Sequence, residues 1–521
     1  MPSALHYFSD PNARTSGAER HGVSLNFREA ARLCVIMNPR ENSSMAERTQ
    51  YMTSIRRAAR YLVKHGPSQS WRKYRKHRQE KTSVSPQERP FNVLLLTNRD
   101  SDNVGDQVIE ACDIALISTV MGNLGIKRFK INSRAAGIIS QKYLATRDEK
   151  LLESARKAIS EADVVVFGGA PLFNYRYQVF YERTAITLEL ARECNTPVIF
   201  SSIGVEGYDE DNEKCQRLKK TLNFDCVRQI TTRDDFDSLE KFIEDERIAI
   251  GKVSDPAVFT WKVFERFVKP NGKKKVGVFI IRANAFIDNG IKFSRDDAAA
   301  LWLDLIDKLE QSGYDYELLT SGHFGDEAFL DYLIKAHGVD AKKCVFNMNS
   351  PERLIEKISS YDAVVSCRLH PSIISFSLGV PSLGIVWNSK VDYFYDAIGY
   401  ADRIINTEGI NGSALASRLE EIIDEGVAKD ESYLMSVYTT LFEALRLVAK
   451  PDSPSLRPYS YPELLENLVV FEGTSDREAN EKVKRKFRRT YGKYNDLADV
   501  NRDQKKKIRE LEGQLKQLRS R

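Results

Sequence analysis

Short apolar runs alternate with amphipathic stretches along the middle of the chain, beginning at Asn92. The runs NVLLLT, DVVVFGG and PVIFSSIG are rich in Val, Ile and Phe, and stretches with helical spacing lie near 107–120, 148–161 and 177–193. Continuous apolar strands that alternate with helices are typical of a parallel sheet covered on both faces. The pattern therefore predicts a Rossmann-like, doubly wound α/β domain over residues 90–258.

The same alternation starts again in the second half of the chain. The strand KKKVGVFIIR at 273–282 is followed by DYELLTSG, KCVFNM and YDAVVSC, with helical stretches between them. We expect a second Rossmann-like domain over residues 259–449, closed by helices at 411–449. Two such domains in tandem face a cleft between the carboxyl ends of their strands, where ligands of these sheets bind.

The flanking segments differ in composition from the two domains. Residues 1–50 show no sustained period and predict poor order, whereas residues 51–89 predict a basic helical segment. Residues 450–475 are interrupted by Pro and Ser and predict a linker. Residues 476–521 predict a basic helical tail. Within it, Ile508, Leu511, Leu515 and Leu518 predict a short coiled-coil seam that would support a homo-oligomer.

The composition is that of a globular protein. Of the 521 residues, 42% are hydrophobic, and no uncharged apolar run approaches the length of a spanning helix, about 18 residues. The first 30 residues lack the apolar core of a signal peptide, so we expect a cytoplasmic protein. The seven cysteines are scattered without a C-x-x-C motif, which predicts neither a disulfide framework nor a metal site.

Positive charge is concentrated in two segments. Residues 56–81 and 477–521 each carry a net charge of +9, and the remaining residues therefore carry −13. Basic segments beside an acidic body predict a peripheral contact with the anionic inner face of the plasma membrane, although a solvated basic helix would carry the same charges. The acidic body and the lack of an RNA-recognition motif argue against nucleic acid as a partner.

In the first domain, polar and small residues follow two of the predicted strands. In NRDSDNVGD, the residues Asn103, Gly105 and Asp106 lie where a tight turn brings backbone N–H groups to a helix N-terminus, which suits an anion or sugar hydroxyls. A simple helix cap by Asp106 is the structural alternative. In FGGAPLF, Gly168 and Gly169 permit the close approach of a ligand or of a neighbouring element, and their spacing does not fit a dinucleotide site.

In the second domain, cations and histidines follow the strands. Arg282 ends one strand, where its guanidinium suits a phosphate or carboxylate or a salt bridge, and His323 in SGHFGDE either caps a helix or acts in catalysis. The segment RLH places Arg368, Leu369 and His370 between a strand and a helix, and Lys390 follows the next strand. Two cations and an imidazole at a helix N-terminus predict a site for a small, multiply charged anion.

Five motifs together carry a resemblance to a known family. RLHPSIISFSLGVPSLGIVWNSK, preceded in order by DNVGD, VVFGGAPLF, TTRDDFDS and VSDPAVF, is similar to the polysaccharide pyruvyl transferases over roughly residues 92–425. Two positions differ from the usual family pattern, because Asp102 replaces the first glycine of G-N-x-G-D and Ala170 replaces the third glycine of the G-G-G run. Both lie in the half expected to bind the acceptor.

The resemblance implies a GT-B-like fold and a defined reaction. The family transfers the enolpyruvyl unit of phosphoenolpyruvate to two hydroxyls of a sugar, which forms a pyruvate ketal and releases phosphate without a cofactor or metal. It implies that Arg282, Arg368, Leu369 and His370 hold phosphoenolpyruvate, and we assign His370 as the proton donor to its methylene carbon. We expect Arg368 and the helix N-terminus to lower the pKa of His370 until the anionic donor binds.

Two other interpretations of the same residues stay open at this point. A nucleotide-sugar-dependent glycosyltransferase of the GT-B fold would use Arg368 and Lys390 to hold a diphosphate. A degenerate transferase that acts as a membrane-surface scaffold would use the basic segments instead. For the leading interpretation, the acceptor is a glycan or a lipid-linked sugar.

Overall fold

The computed structural model describes residues 89–175, 180–271, 274–282, 284–346 and 348–519. The chain divides into two units, residues 1–89 and residues 90–521, and all elements given below belong to the second. The predictions for residues 1–50 and for the basic segment up to residue 88 lie outside the described residues.

The first domain is built on a parallel sheet, in which the strand order is β2-β1-β3-β4-β5-β6 among the described residues. Its strands are β1 (Phe91–Thr97), β2 (Phe129–Ala135), β3 (Val164–Gly168), β4 (Val198–Ile203), β5 (Val227–Thr232) and β6 (Ala249–Lys252). The central strands β3 and β4 are buried along their whole length, as their continuous apolar runs predict.

Helices connect these strands and cover the sheet. They are α1 (Val104–Asn123), α2 (Gln141–Thr146), α3 (Glu153–Ser160), α4 (Phe180–Cys194), α5 (Glu213–Leu222), α6 (Phe236–Phe242) and α7 (Thr260–Val263). The longest of them, α1, begins after Asn103, whose side chain accepts a hydrogen bond from the Gly105 N–H. Most of α1 is buried, because it packs between the first sheet and helices of the second half of the chain.

The second domain repeats the arrangement, with the strand order β12-β11-β10-β7-β8-β9 among the described residues. Its strands are β7 (Lys275–Phe279), β8 (Asp315–Leu319), β9 (Cys344–Val345), β10 (Ala363–Ser366), β11 (Ser382–Ile385) and β12 (Ile404–Ile405). Its helices are α8 (Ala285–Asp288), α9 (Arg295–Gln311), α10 (Phe324–His337), α11 (Pro351–Ile358), α12 (Leu369–Leu378), α13 (Ser389–Ala397) and α14 (Gly412–Glu425). The prediction of two doubly wound, GT-B-like domains is confirmed.

The last three helices follow the second domain in the chain. In α15 (Glu431–Ala449), the Leu434 carbonyl accepts a hydrogen bond from Ser254 and Tyr438 accepts one from Asn123, so this helix packs on the first domain although the sequence groups it with the second. The predicted linker also lies on the body, since α16 (Tyr461–Asn467) buries Leu464. The predicted tail is a single 44-residue helix, α17 (Asp476–Arg519).

Among the described helices, none combines the length and the hydropathy that passage through a bilayer requires.

Candidate active site

In each sheet the strand order reverses at one point, and four of the sequence motifs follow the strands on either side of these two points. In the first sheet the order reverses between β1 and β3, the strands that precede Asn103 and the two glycines of FGGAPLF. In the second sheet it reverses between β7 and β10, the strands that precede Arg282 and Arg368. Ligands of open α/β sheets bind at such switch points, so the strand-end residues of both domains lie at the expected binding positions.

The two switch points are in direct contact. The Val104 N–H at the start of α1 donates a hydrogen bond of 2.8 Å to the Ser321 carbonyl of the second domain. Next to it, Gly105 lies against His370, and a Cβ on Gly105 would be 2.3 Å from the His370 Cβ. A side chain at this position would displace the imidazole, so glycine is required by the contact between the two domains.

The imidazole of His370 is oriented by the first domain. Asn103 accepts the Gly105 N–H with Oδ1, which turns its amide nitrogen toward His370 Nδ1 at a distance of 2.9 Å. Because the amide nitrogen donates, Nδ1 accepts, and the proton of the neutral ring lies on Nε2. Nε2 faces Asp106 Oδ1 at 3.9 Å, which is too long for a hydrogen bond.

Burial shifts the pKa values of His370 and Asp106 in opposite directions. Burial, followed by the positive charges of Arg233, Arg368 and Lys390, lowers the pKa of His370 well below its ordinary value. Burial raises the pKa of Asp106 to about 6, although hydrogen bonds and the nearby cations oppose the change. The site therefore holds a neutral imidazole beside a carboxyl group that titrates close to neutrality.

The buried Asp106 predicts a stability change with pH. Its pKa of about 6 lies above the ordinary 3.8, so its contribution to stability is fully present below pH 3.8 and is lost as the pH rises through 6. At pH 8 the ionised group costs about 3 kcal/mol, and Asp106→Asn is expected to raise the free energy of unfolding by up to that amount. Urea unfolding of both proteins across pH 4–8 measures the difference, which should shrink toward acid pH.

Asp326→Asn is the matched control for this measurement. Although burial opposes it, the charge of Arg368, the nearby His323 and the hydrogen bonds from Arg368 lower the pKa of Asp326 to about 2. Its contribution is therefore present at neutral pH and is lost only as the pH falls through 2, so Asp326→Asn should destabilise the chain at pH 8. Equal effects of the two variants at pH 8 would contradict the assignment of Asp106.

Asp326 organises the cations of the second domain. The Arg368 guanidinium donates two hydrogen bonds to it, Nε to Oδ2 at 2.9 Å and Nη2 to Oδ1 at 2.7 Å, and the Arg282 N–H donates a third at 2.9 Å. This side-on pairing leaves the Nη1 edge of Arg368 for a ligand. Sequence reasoning missed Asp326, which lies three residues after the helix cap His323.

Arg282 and His323 have structural partners near this carboxylate. The Arg282 side chain is about one third exposed and donates a 3.0 Å hydrogen bond to Asp288. His323 caps α10, because its Nδ1 accepts the Gly325 N–H at 3.2 Å. The capping alternative for His323 therefore matches its position, while Arg282 lies beside Arg368 with its guanidinium held at the surface.

Leu369 and Lys390, the other predicted site residues of the second domain, lie at the same edge of its sheet. Leu369 is the first residue of α12 and packs half-buried against the core. Lys390 reaches across the cleft and forms an ion pair with Glu206, in the loop that follows β4. Lys390 is thus brought to the site, as the sequence predicts, but its partner was not expected.

The two glycines of FGGAPLF pack against α1. A Cβ on Gly168 would lie 2.2 Å from an oxygen of the buried Asp113, and one on Gly169 would lie 2.1 Å from Ile109, where φ is also positive at +49°. Both glycines therefore bring α1 close to β3, which is the close approach of a neighbouring element that the sequence allowed. The sequence also left open the approach of a ligand.

A buried arginine of the first domain was not singled out by sequence reasoning. Arg233 follows β5 in the motif TTRDDFDS and pairs with Asp255 of the motif VSDPAVF at 2.5 Å, and both side chains are almost fully buried. Its charge contributes to the pKa shifts of both Asp106 and His370, so it lies close to the pair. A search for polar residues that directly follow an apolar strand, which identified the other motifs, would have found Arg233 as well.

The basic helix α17 connects the rims of the two domains. Arg485 and Arg489 pair with Asp100 and Asp102 of the loop after β1 at 2.7 and 2.8 Å, while Lys486 pairs with Glu327 of α10 at 2.8 Å. These carboxylates of the DSD sequence therefore bind arginines. Within the described residues, no group of three or more His, Cys, Asp or Glu side chains is arranged to hold a metal ion.

Comparison with known proteins identifies one family. A family model described as polysaccharide pyruvyl transferase matches residues 50–389, which is more than half of the chain. No curated protein matches the sequence.

Several solved structures are similar to the chain at low identity and low TM-score. A UDP-GlcNAc 2-epimerase from Methanocaldococcus jannaschii is 10% identical, with a TM-score of 0.40 and coverage of 67% of this chain and 98% of its own. A putative UDP-N-acetylglucosamine 2-epimerase from Listeria monocytogenes is 10% identical, with a TM-score of 0.43 and coverage of 70% and 96%. An E. coli heptosyltransferase is 12% identical, with a TM-score of 0.33 and coverage of 63% and 99%.

Proposed function

The chain belongs to the polysaccharide pyruvyl transferase family, and from this premise we propose that it transfers pyruvate from phosphoenolpyruvate to a sugar of a cell-surface polysaccharide or its precursor. The observation that carries the proposal is the convergence of Arg368, Lys390 and Arg233 on His370 and Asp106 at one cleft. Concentrated positive charge suits a small, multiply charged donor, and two titratable groups suit the proton transfers that ketal formation needs.

The donor would bind at the start of α12. Its phosphate and carboxylate are matched by the Nη1 edge of Arg368, by Lys390 and by the backbone N–H groups of the helix N-terminus. Lys390 is paired with Glu206 in this structure, so donor binding would exchange one carboxylate partner for another. The negative charge of the donor would also raise the pKa of His370. The second ring proton would lie on Nδ1, so the Asn103 amide would have to rotate and present Oδ1, not its nitrogen, to the ring.

The first chemical step would activate the double bond. The imidazolium of His370 gives its Nε2 proton to the methylene carbon, which becomes a methyl group and leaves an oxocarbenium-like centre at C2. A sugar hydroxyl attacks C2 and transfers its proton to Asp106, which lies on the Nε2 side of the ring. A carboxyl with a pKa of about 6 is suited to accept this proton near neutral pH.

The second step would close the ketal. The C2–O bond to phosphate breaks, and the proton held by Asp106 leaves with the phosphate. A second hydroxyl of the same sugar attacks C2, and its proton returns to His370. The products are the cyclic pyruvate ketal and phosphate, and both titratable groups are restored.

Thermal unfolding with candidate donors tests the proposal. Phosphoenolpyruvate should raise the melting temperature with concentration, because a ligand that binds only the folded chain stabilises it, whereas UDP-sugars should not. Incubation with phosphoenolpyruvate and a panel of glycans and lipid-linked sugars should release phosphate and add one pyruvyl unit less water to the product. Stabilisation by UDP-sugars alone would instead favour a nucleotide-sugar glycosyltransferase.

A peripheral contact with anionic membranes is a further part of this proposal. Several tail cations bind the carboxylates of the enzyme itself, whereas Lys505, Lys506, Lys507 and Arg509 are exposed on α17. Each cation near an anionic surface contributes on the order of 1 kcal/mol, so changing these four residues to Glu should weaken salt-sensitive co-sedimentation with phosphatidylserine vesicles. Unchanged co-sedimentation of the variant would exclude this segment as the contact.

A further inference from the structure

The distal half of α17 is exposed to solvent along its length. The helix has 44 residues and buries none of them, and every residue from 499 to 519 is exposed. Helices of proteins owe most of their stability to the packing of an apolar face, so a projecting helix of this length requires a surface to cover that face.

The apolar face of this segment follows a coiled-coil repeat. Six large apolar residues, each between 49% and 70% exposed, lie along it: Tyr494, Leu497, Ile508, Leu511, Leu515 and Leu518. Successive members are separated by three or four residues, except for the longer interval between Leu497 and Ile508. Within that interval, Asn501 and Gln504 continue the same alternation. The seam, residues 494–518, thus spans 25 residues, which is more than twice the 11 residues from Ile508 to Leu518 that the sequence first indicates.

The geometry points to a parallel two-stranded coiled coil between the seams of two copies of this chain. Asn501 occupies an a position, where a polar residue facing its own counterpart fixes the register and the number of strands. Lys507 and Glu512 occupy g and e positions, so a parallel, in-register pair brings opposite charges together across the seam. An antiparallel pair sets a positions against d positions and would not place the two asparagines opposite each other.

The N-terminal turns of α17 can stay bound to the two domains when the seams of two copies pair. The ion pairs of Arg485, Lys486 and Arg489 with both domains precede the seam, so the first turns stay on the rim while the seam extends over about 37 Å at 1.5 Å per residue. A parallel coil would place the two catalytic domains at the same end of the dimer. The pairing rests on α17 alone and is independent of the proposed reaction.

Light scattering on the purified full-length chain tests the dimer. The wild-type mass should be twice 59.4 kDa at micromolar concentration. Leu511→Lys with Leu515→Lys should give the single-chain mass, because two buried charges oppose pairing. The matched control Asp503→Asn with Gln517→Lys adds the same charge on c positions of the same helix, outside the seam, and should remain a dimer.

Other results of these measurements would overturn the dimer or its parallel arrangement. A wild-type chain of single-chain mass, or a seam variant with unchanged mass, would overturn the dimer. If the wild type were monomeric and the seam variant alone lost binding to phosphatidylserine vesicles, a membrane would be the occupant. Asn501→Cys should form an intermolecular disulfide on mild oxidation, and failure to cross-link while the mass remains that of a dimer would overturn the parallel arrangement.

Discussion

His370→Gln is expected to lower turnover at least a hundredfold while phosphoenolpyruvate binds within a few fold of the wild type. Glutamine retains a hydrogen-bonding group beside Asn103, but it has no proton to deliver to the methylene carbon. General acid catalysis typically contributes a factor of about 10² to 10⁴, and the loss should appear in kcat because the group acts in the transition state. Steady-state kinetics and calorimetry separate the two effects.

His323→Gln is the matched control for this prediction. His323 caps α10 through Nδ1, and a glutamine oxygen can accept the same N–H, so turnover should change little. If His370→Gln retained near-normal turnover, or lost only donor affinity, the proton donor would have to be another group. A large loss in the His323 variant would identify that residue as the next candidate.

Arg368→Ala is expected to weaken phosphoenolpyruvate binding more than a hundredfold. The residue is the cation at the N-terminus of α12, and removal of one partner from a buried charged pair typically costs a few kcal/mol. The same change leaves the buried Asp326 carboxylate without its two guanidinium hydrogen bonds, so the folded chain should also lose stability. Calorimetry gives the affinity, and urea unfolding gives the stability.

A double variant separates these two consequences. Arg368→Gln with Asp326→Asn removes both charges, so the fold should remain close to wild-type stability while donor binding is still lost. Arg282→Ala should cause a smaller loss than Arg368→Ala, because the Arg282 guanidinium is held by the exposed Asp288. Wild-type affinity of the stable double variant would remove Arg368 from the donor site.

The candidate site could be predicted in part because its residues follow strands. Asn103, Arg282, Arg368 and Lys390 were found from short segments, since an apolar strand followed by polar residues is visible without knowledge of the rest of the chain. Partners far away in sequence could not be found in this way. Asp326 is 42 residues from Arg368, and Glu206 is 184 residues from Lys390.

The use of each residue depended on what surrounds it in the folded chain. Gly168 and Gly169 fit a ligand-binding loop in sequence, but α1 occupies the space beside them. Asp100 and Asp102 belong to a loop that the sequence places before α1, and arginines of α17 bind them. In both cases the neighbouring helix is visible only in the folded chain, because the local sequence does not show which element packs beside these residues.

The sequence by itself determined the two doubly wound domains, the helical tail and the strand-end positions of the cations, because strand and helix periodicity and strand-end chemistry are local properties. Only the tertiary structure decided that the switch points of both sheets meet, that Asn103 orients His370, and that Asp106 titrates near pH 6. These features arise when two sheets dock and exclude water from charged groups, and the free energies of burial and of long-range ion pairs depend on residues that no local pattern brings together.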